Sequence, residues 1–354
     1  MKYMKVALLL SGGVDSSVAL HLLKQQGYEV EAFYLKIWLE DELAFLGNCP
    51  WEEDLHFVRS VCEQTNTPLH IVNMQKEYLD TVVEYTIQEL KAGRTPSPDI
   101  MCNKNIKFGD FFKKIDSSFE KVASGHYAQV EEKDGIYYLK ESPDAIKCQT
   151  YFLTYLSQQQ LSRILFPIGK YTKQQIRELA KEFDLATAGR KDSQGICFLG
   201  KIKYNDFIKF HLGEQKGDIV EIETGKKWGE HKGYWFHTIG QRTGLGLSGG
   251  PWYVVKKDLQ NNIIYISREN GKEQVSHDTF FVNDVNWIGN QPDSGDILVK
   301  IRHGAKKYEA KFEYLENNKL SVKLAEEDQG ISPGQFCIFY KDGFCFGGGV
   351  MSLE

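Results

Sequence analysis

The sequence predicts an α/β protein in which a parallel-sheet domain precedes two smaller β-rich parts. Three observations support this prediction. A short apolar strand runs straight into a glycine turn and a helix near residue 10, helical patterns continue to about residue 200, and glycine-punctuated short strands replace them afterwards. We expect a parallel-sheet α/β domain at 1–200, a central β-rich domain at 201–275 and a C-terminal β-barrel at 276–354.

The composition indicates a globular protein of two or three domains. Of 354 residues, 42% are hydrophobic and 26% are charged. The apolar N-terminal stretch is short and enters a glycine turn, and no apolar run reaches the ~18 residues of a membrane span. Seven cysteines without a Cys-x-x-Cys pair argue against a disulfide scaffold or zinc site. We therefore expect a cytoplasmic protein with no membrane contact.

The turn "SGGVDSS", residues 11–17, is the strongest local signal. It follows a β-prone apolar strand and precedes an amphipathic helix, so its free backbone N–H groups and the helix dipole suit a phosphate. Gly12 and Gly13 remove side chains where an anion must approach, while Ser11, Ser16 and Ser17 supply hydroxyl donors. Because the lysine of a Walker loop is absent, the turn predicts phosphate binding with different cleavage chemistry.

Two further segments carry candidate nucleophiles. In "PSPDIMCNKNIKFGDFFKKI", Asp99 and Cys102 lie at the mouth of a predicted helix, where Lys104 and Lys107 would favour a thiolate. The second is Cys197 in the glycine-flanked "GRKDSQGICFLG". From spacing alone, each cysteine is also compatible with a buried structural residue, and the aspartate with a helix cap.

Taken in order, "SGGVDSS", "PSPDIMCNKNIKF", "SGHYA", "QTYFL", "KDSQGICF", "HTIGQRTGLGL" and "SPGQFCIFY" with "GGGV" resemble the bacterial tRNA-specific 2-thiouridylases. The turn by itself resembles the pyrophosphate loop of the N-type ATP pyrophosphatases. The resemblance spans nearly the whole chain. It implies that ATP adenylates the C2 oxygen of the wobble uridine and that sulfur then replaces this oxygen, which gives 2-thiouridine, AMP and pyrophosphate.

The resemblance also implies roles for individual residues. Cys197 would accept a persulfide sulfur, Cys102 would assist its release and form a disulfide with Cys197, and Asp99 would handle protons at the target base. The implied ATP-binding residues are Leu9, Leu10, Ser11, Gly12, Gly13, Val14, Asp15, Ser16, Ser17, Leu35 and Gly125. The implied tRNA-contacting residues are Ser97, Pro98, Asp99, His126, Lys147, Cys148, Gln149, Arg302, His303 and Gln335.

Two short motifs depart from the pattern expected of the family. Ser97 stands where we expect asparagine, in Asn-Pro-Asp, and Cys148 stands where we expect aspartate, in Lys-Asp-Gln. Serine retains a hydrogen-bonding group, whereas Cys148 removes a charge beside the expected tRNA path. A tRNA contact at residues 147–149 would therefore lack this charge.

The resemblance implies ATP with Mg²⁺ as cofactors, although no carboxylate cluster identifies metal ligands. It implies tRNAs for Glu, Gln and Lys as substrates and a sulfur carrier or cysteine desulfurase as persulfide donor. Two alternatives keep the phosphate-binding turn. One is an amide-forming ligase that uses ammonia or an amine, and the other is a nucleotide-gated RNA-binding module that does not cleave ATP.

Overall fold

The computed structural model of the chain describes residues 4–37, 51–191, 203–268, 277–328 and 330–353. The strands are β1 (Lys5–Leu9), β2 (Glu29–Lys36), β3 (Leu69–Asn73), β4 (Lys121–Ser124), β5 (Ala128–Lys133), β6 (Ile136–Glu141), β7 (Ile164–Leu165), β8 (Gly217–Glu221), β9 (Lys227–His231), β10 (Tyr253–Asp258), β11 (Ile263–Ser267), β12 (His277–Trp287), β13 (Gly295–Lys300), β14 (Tyr308–Tyr314), β15 (Leu320–Asp328), β16 (Phe336–Lys341) and β17 (Phe344–Ser352).

The helices are mostly in the first half of the chain. The α-helices are α1 (Val14–Gln25), α2 (Trp51–Gln64), α3 (Gln75–Tyr78), α4 (Glu84–Lys91), α5 (Pro98–Met101), α6 (Phe111–Lys114), α7 (Gln158–Leu161), α8 (Lys173–Glu182) and α9 (Tyr204–Leu212). π-Helical segments at Leu79–Val83 and Cys102–Asp110 join α3 to α4 and α5 to α6, and short 3-10 helices occur at Thr150–Leu153 and Tyr234–Phe236.

The first sheet is parallel and has the strand order β3-β2-β1-β4-β7. Its central strand β1 is an apolar run because both faces of the sheet are covered. Helices α1, α2 and α8 pack on one face, and α4 with the two π-helical segments packs on the other. This three-layer arrangement confirms the predicted α/β domain.

Helix α1 begins directly after the glycine turn, as its sequence predicts. Val18, Leu22 and Leu23 are buried on its inner face. Gly27 adopts a φ of +83° just past the helix, and the N–H of Tyr28 donates to Leu23 O over 3.2 Å. Gly27 therefore ends helix α1 in the left-handed conformation that glycine adopts readily.

The second half of the chain forms two β structures. Strands β8 to β11 make a four-stranded sheet in the order β10-β11-β8-β9. Strands β12 to β17 close into a six-stranded barrel because β12 pairs with both β15 and β17. These two parts confirm the predicted β-rich centre and C-terminal barrel.

The barrel is joined to the first domain by backbone hydrogen bonds. Strand β17 also pairs with β6, where Phe344 lies opposite Lys140 and Cys345 opposite Leu139. The β5–β6 hairpin therefore extends the barrel sheet. A barrel loop also contacts the segment before Asp99, where Thr95 N donates to Pro333 O over 2.9 Å.

Among the described residues, no helix has both the length and the apolar character needed to cross a bilayer.

Candidate functional site

The candidate site lies at the carboxyl edge of the parallel sheet. The strand order reverses direction around β1, which has β2 on one side and β4 on the other. In open α/β sheets, ligands bind in the crevice outside the strand ends at such a switch point. The phosphate loop, residues 10–17, follows β1, while Leu35 lies near the end of β2 and Gly125 directly follows β4.

The phosphate loop leaves the start of α1 open. Gly12 has a φ of +75°, a conformation that favours glycine. Gly13 is the N-cap residue of α1 and supplies no side-chain cap. The first N–H groups of the helix therefore receive no capping side chain, and together with the helix dipole they suit an anion. This geometry fits the phosphate groups of ATP.

All three predicted hydroxyl groups make hydrogen bonds within the loop, and Ser11 Oγ lies 3.3 Å from Ser16 Oγ. Ser17 Oγ donates to Gly13 O over 2.9 Å, and Ser16 Oγ donates to the same oxygen over 3.1 Å. Ser11 N donates to Ser16 Oγ over 3.3 Å, while the Ser11 side chain is exposed. Serines in a first helical turn readily bond a preceding carbonyl. Ser16 and Ser17 thus fix the shape of the loop.

Four further predicted ATP-site residues, Leu9, Leu10, Val14 and Gly125, lie in the loop or pack next to it. Leu9, Leu10 and Val14 are each less than a tenth exposed. A Cβ added to Gly125 would lie 2.8 Å from Ser16 N, which is closer than carbon atoms approach backbone nitrogen. Gly125 therefore keeps the crevice beside the α1 N-terminus free of a side chain.

Sequence analysis missed two partners of Asp15, which lies in the first turn of α1. Lys173 Nζ lies 2.7 Å from Asp15 Oδ1, and Tyr127 OH donates to the same oxygen over 2.7 Å. A lysine thus reaches the phosphate loop after all, although it comes from α8 rather than from the loop. Nothing in the local spacing indicates these contacts, since both partners lie more than 100 residues away along the chain.

Arg190 is a second missed contributor. Its Nη1 donates to Gly12 O over 2.8 Å, its Nη2 pairs with Asp54, and its guanidinium lies 4.5 Å from the ring centre of Phe57. Arg190 thereby fastens the phosphate loop to α2. Its place in the motif "GRKDSQGICFLG", beside the predicted nucleophile, was a signal that could have identified it.

Asp99 and Cys102 lie where the sequence predicts, at the start of a helical segment. Pro98 is the first residue of α5, Asp99 lies in its first turn, and Cys102 begins the π-helical segment. Only 1% of Cys102 is exposed. The predicted nucleophile is therefore enclosed in this conformation. Cys197 lies outside the described residues, so the predicted disulfide is not observed.

The two predicted histidines occupy different surroundings. His303, from the barrel, packs against Phe152 with ring centres 4.6 Å apart and ring planes tilted by 31°. Burial lowers the pKa of His303, while the Asp99 carboxylate acts in the opposite direction. His126 is 9% exposed and lies 2.8 Å from Ser124 Oγ, and burial holds its pKa well below the usual value. His303 thus contacts the 3-10 helix at Thr150–Leu153, whereas the His126 ring faces the interior.

The predicted tRNA segment at 147–149 forms a structured turn. Lys147 N donates to Asp144 Oδ1 over 3.0 Å, and Gln149 N donates to Tyr127 O over 2.9 Å. Cys148 is 1% exposed, and its Sγ lies 3.3 Å from Thr150 Oγ1. The thiol that replaces the expected carboxylate therefore points inward, so we do not propose a contact between this thiol and tRNA.

The barrel residues predicted to contact tRNA are partly engaged within the protein. Both terminal nitrogens of Arg302 donate to Asp328. These hydrogen bonds raise the pKa of the guanidinium. Burial alone would raise the pKa of the Asp328 carboxyl, but its hydrogen bonds outweigh burial and lower it. Gln335 follows a turn whose Pro333 carbonyl accepts from Thr95 N over 2.9 Å. This contact places Gln335 beside the segment that leads to Asp99.

The start of that segment is also anchored. Ser97 N donates to Tyr85 OH over 3.2 Å, and Pro98 is buried. Ser97 occupies the N-cap position of α5 without a side-chain cap bond, so its hydroxyl is not committed to the helix. The described residues contain no group of three or more His, Cys, Asp or Glu side chains that could hold a metal ion.

Family models match the chain in three successive parts. They are described as "tRNA methyl transferase HUP domain" over residues 4–201, "tRNA methyl transferase PRC-barrel domain" over residues 205–268 and "Aminomethyltransferase beta-barrel domain" over residues 277–351. The first model alone matches more than half of the chain.

Curated relatives match over the full length. The tRNA-specific 2-thiouridylase MnmA 1 of Bacteroides thetaiotaomicron is 47% identical, and the alignment covers 99% of this chain and 100% of the relative. The tRNA-specific 2-thiouridylases MnmA of Parabacteroides distasonis and Porphyromonas gingivalis are 45% and 44% identical, with 99% of each chain covered. These matches confirm the resemblance inferred from the motifs: the chain belongs to the family of the tRNA-specific 2-thiouridylases.

Proposed function

We propose that this protein is an ATP-dependent tRNA sulfurtransferase that converts the wobble uridine to 2-thiouridine. The observation that carries the proposal is the likeness to named 2-thiouridylases along the full length of both chains. The open N-terminus of α1, framed by Gly12, Gly13 and Gly125, supports ATP as the cosubstrate. The contact between Thr95 N and Pro333 O, which brings a barrel turn to the segment that leads to Asp99, supports a site for the target base beside it.

The chemistry divides into activation and replacement. The C2 oxygen of uridine attacks the α phosphorus of ATP, the bond to the bridging oxygen of the β phosphate breaks, and pyrophosphate leaves. The phosphate loop stabilises the charge of this leaving group through backbone N–H groups. The adenylated oxygen is then a good leaving group, so sulfur attack at C2 releases AMP.

Sulfur delivery would use the two cysteines. The terminal sulfur of a persulfide on Cys197 bonds to C2, the Cys102 thiolate attacks Cys197 Sγ, and the sulfur–sulfur bond of the persulfide breaks. The product is 2-thiouridine with a Cys102–Cys197 disulfide, which an external thiol reductant resets. Since Cys102 is enclosed, this step requires its helical segment or a neighbouring segment to move. Asp99 would handle the protons at the base.

Further partners follow from this chemistry and from the family. We infer tRNAs for Glu, Gln and Lys as substrates and a sulfur carrier or cysteine desulfurase as donor, which places the reaction in the cytoplasm. Mg²⁺ is usually held by substrate phosphates, water and one or two carboxylates, so it needs no protein cage.

The proposal is tested by product analysis with purified protein, ATP, Mg²⁺, unmodified tRNA for Glu and a persulfide donor. We expect AMP, pyrophosphate and 2-thiouridine in equal amounts, with no AMP when tRNA is omitted. ADP as the product would contradict the proposal. AMP without sulfur incorporation from any donor would favour an amide-forming ligase, and binding of tRNA and ATP without cleavage would favour a nucleotide-gated RNA-binding module.

A further inference from the structure

A short segment near the candidate tRNA path, residues 144–149, is tied to the phosphate loop by hydrogen bonds. Its outer side is open, since Ile146 is 71% exposed. Its inner side makes bonds that lead, through two separate connections, to a single carboxylate oxygen of Asp15. Hydrogen bonds therefore link residues 144–149, which we expect to meet tRNA, to the phosphate loop, which we expect to hold ATP.

The first connection passes through α8. Lys173 Nζ lies 2.7 Å from Asp15 Oδ1, and the backbone N–H of Lys173 donates to Asp144 Oδ2 over 3.0 Å. The other oxygen of Asp144 accepts from Ile146 N over 3.2 Å and from Lys147 N over 3.0 Å. Asp144 thus fixes the turn of the 144–149 segment with one oxygen and holds the start of α8 with the other.

The second connection passes through Tyr127. Its hydroxyl donates to Asp15 Oδ1 over 2.7 Å. Its backbone N–H donates to Gln149 Oε1 over 3.0 Å, and its carbonyl accepts from Gln149 N over 2.9 Å. A displacement of Asp15 therefore acts on both ends of the 144–149 segment, through Lys173 at one end and Tyr127 at the other.

The elements that carry the two connections, the turn before α8 and strand β5, are in close backbone contact. A Cβ on Gly169 would lie 1.7 Å from Ala128 O, so the turn that precedes α8 is pressed against the strand that follows Tyr127. Such close backbone contact leaves no room for one element to slide past the other. Movement at the start of α8 is thus transmitted to the β5 strand rather than absorbed between them.

The shared ion pair is responsive to an incoming anion. The Lys173 and Asp15 side chains are 14% and 31% exposed, so solvent screens their attraction less than it screens a surface pair. Phosphate groups at the N-terminus of α1 would compete with Asp15 for the Lys173 ammonium and repel the carboxylate. Both effects would shift Asp15 Oδ1, the oxygen at which the two connections meet.

We propose that Tyr127, Lys173 and Asp144 are positioning residues that make ATP binding and tRNA binding interdependent. The inference rests on the proposed function, because it assumes that both ligands bind this protein. Coupling between two sites is reciprocal, so ATP must change the affinity for tRNA by the same factor by which tRNA changes the affinity for ATP.

The test measures that factor with α,β-methylene ATP, which cannot be cleaved between the α and β phosphates, and unmodified tRNA for Glu. The dissociation constant of each ligand is determined with and without the other.

Tyr127→Phe removes the hydroxyl that donates to Asp15, and Asp144→Asn removes an acceptor from one of its three N–H partners while keeping the shape of the side chain. Matched controls are Tyr314→Phe, which loses a hydroxyl bond to Pro292 O in the barrel, and Asp116→Asn, in a turn at the opposite edge of the sheet.

In the wild-type protein and both controls we expect a coupling factor of about 5-fold or more, equal for the two ligands. Each single variant should reduce the factor, and the double variant Tyr127→Phe/Asp144→Asn should bring it to within about 2-fold of unity, while both ligands still bind. Independent binding in the wild-type protein, or unchanged coupling in the double variant, would overturn the inference and leave the proposed function standing. Failure of the wild-type protein to bind either ligand would overturn both.

Discussion

The guanidinium of Arg190 donates a hydrogen bond of 2.8 Å to the carbonyl oxygen of Gly12 and pairs with Asp54 through its other terminal nitrogen. This relationship fixes a glycine in the left-handed region within the phosphate loop and fastens it to α2. Arg190 also precedes the segment that contains Cys197. The ATP site and the base of the predicted sulfur-relay segment therefore meet at one side chain.

Replacing Arg190 by glutamine should weaken the binding of α,β-methylene ATP about 10-fold. A hydrogen bond from a charged donor contributes about 1.5–3 kcal/mol, and its loss frees the Gly12 peptide to rotate. The measurement is a calorimetric titration of ligand into the purified variant. The control is Arg59→Gln, at an exposed position of α2, the helix that Arg190 contacts. This variant should bind α,β-methylene ATP as tightly as the wild type does. Equal affinity in the Arg190 variant would show that the contact does not shape the loop.

Gly125→Ala should reduce ATP binding by at least about 10-fold. The new methyl carbon would lie 2.8 Å from Ser16 N, so either β4 or the start of α1 must shift away from the crevice. Gly189→Ala adds the same methyl group where no atom lies within 4 Å and serves as the control. A variant that binds ATP normally and unfolds at the wild-type temperature would contradict the assigned role of Gly125.

The local part of this site is predictable from sequence, whereas the contacts between distant segments are not. The strand, glycine turn and helix around residues 5–25 follow from apolar patterning and turn chemistry. The meeting of Asp15 with Tyr127 and Lys173 depends on the strand order, since the partners lie 112 and 158 residues away. Patterning therefore locates the loop but cannot identify what surrounds it.

Burial accounts for the other differences between sequence and structure. Helical spacing puts Ile106, Phe111 and Ile115 on one side of the segment after Cys102, where the first two are fully buried and Ile115 is partly buried. Sequence patterns did not show that Cys102 and Cys148 also face inward. A cysteine is equally compatible with a reactive and an interior position. The interior position of Cys148 was decided by the packing of the barrel against the β5–β6 hairpin.

Cys148→Ala should leave sulfur transfer within about 2-fold of the wild type and lower the free energy of unfolding by about 1 kcal/mol. The thiol is enclosed beside Thr150, whose hydroxyl in turn lies 3.1 Å from Tyr340 OH, so its removal leaves a small cavity rather than a missing tRNA contact. Initial rates and urea denaturation check the two parts. A 10-fold loss of rate with unchanged stability would instead assign the thiol to the reaction.

Lys257 should make stability depend on pH between about 8 and 10.5. Burial lowers its pKa to about 8, and its ammonium donates to Gly93 O over 3.1 Å. The unfolded chain, with the ordinary value of 10.5, binds more protons in this window, so the free energy of unfolding rises with pH there. Relative to Lys257→Met, the wild type should gain about 1–3 kcal/mol between pH 7.5 and pH 10.

Urea denaturation at the two pH values measures this gain. Lys256→Met, which alters the exposed neighbouring lysine, is the matched control and should reproduce the wild-type pH dependence. If the difference between the wild type and Lys257→Met is the same at both pH values, the ammonium of Lys257 is not destabilised by burial.

The most direct test of the central claim follows sulfur-35 from a persulfide donor into unmodified tRNA for Glu, with nucleoside analysis of the product. Wild-type protein is compared with Cys197→Ser, Cys102→Ser and Cys62→Ser, the last being a control because burial raises the pKa of the Cys62 thiol to about 11. We expect label in 2-thiouridine only with ATP and both predicted cysteines, normal transfer with Cys62→Ser, and near-normal tRNA binding by Cys197→Ser. Transfer that persists without ATP, or with both Cys102 and Cys197 replaced, would contradict the account.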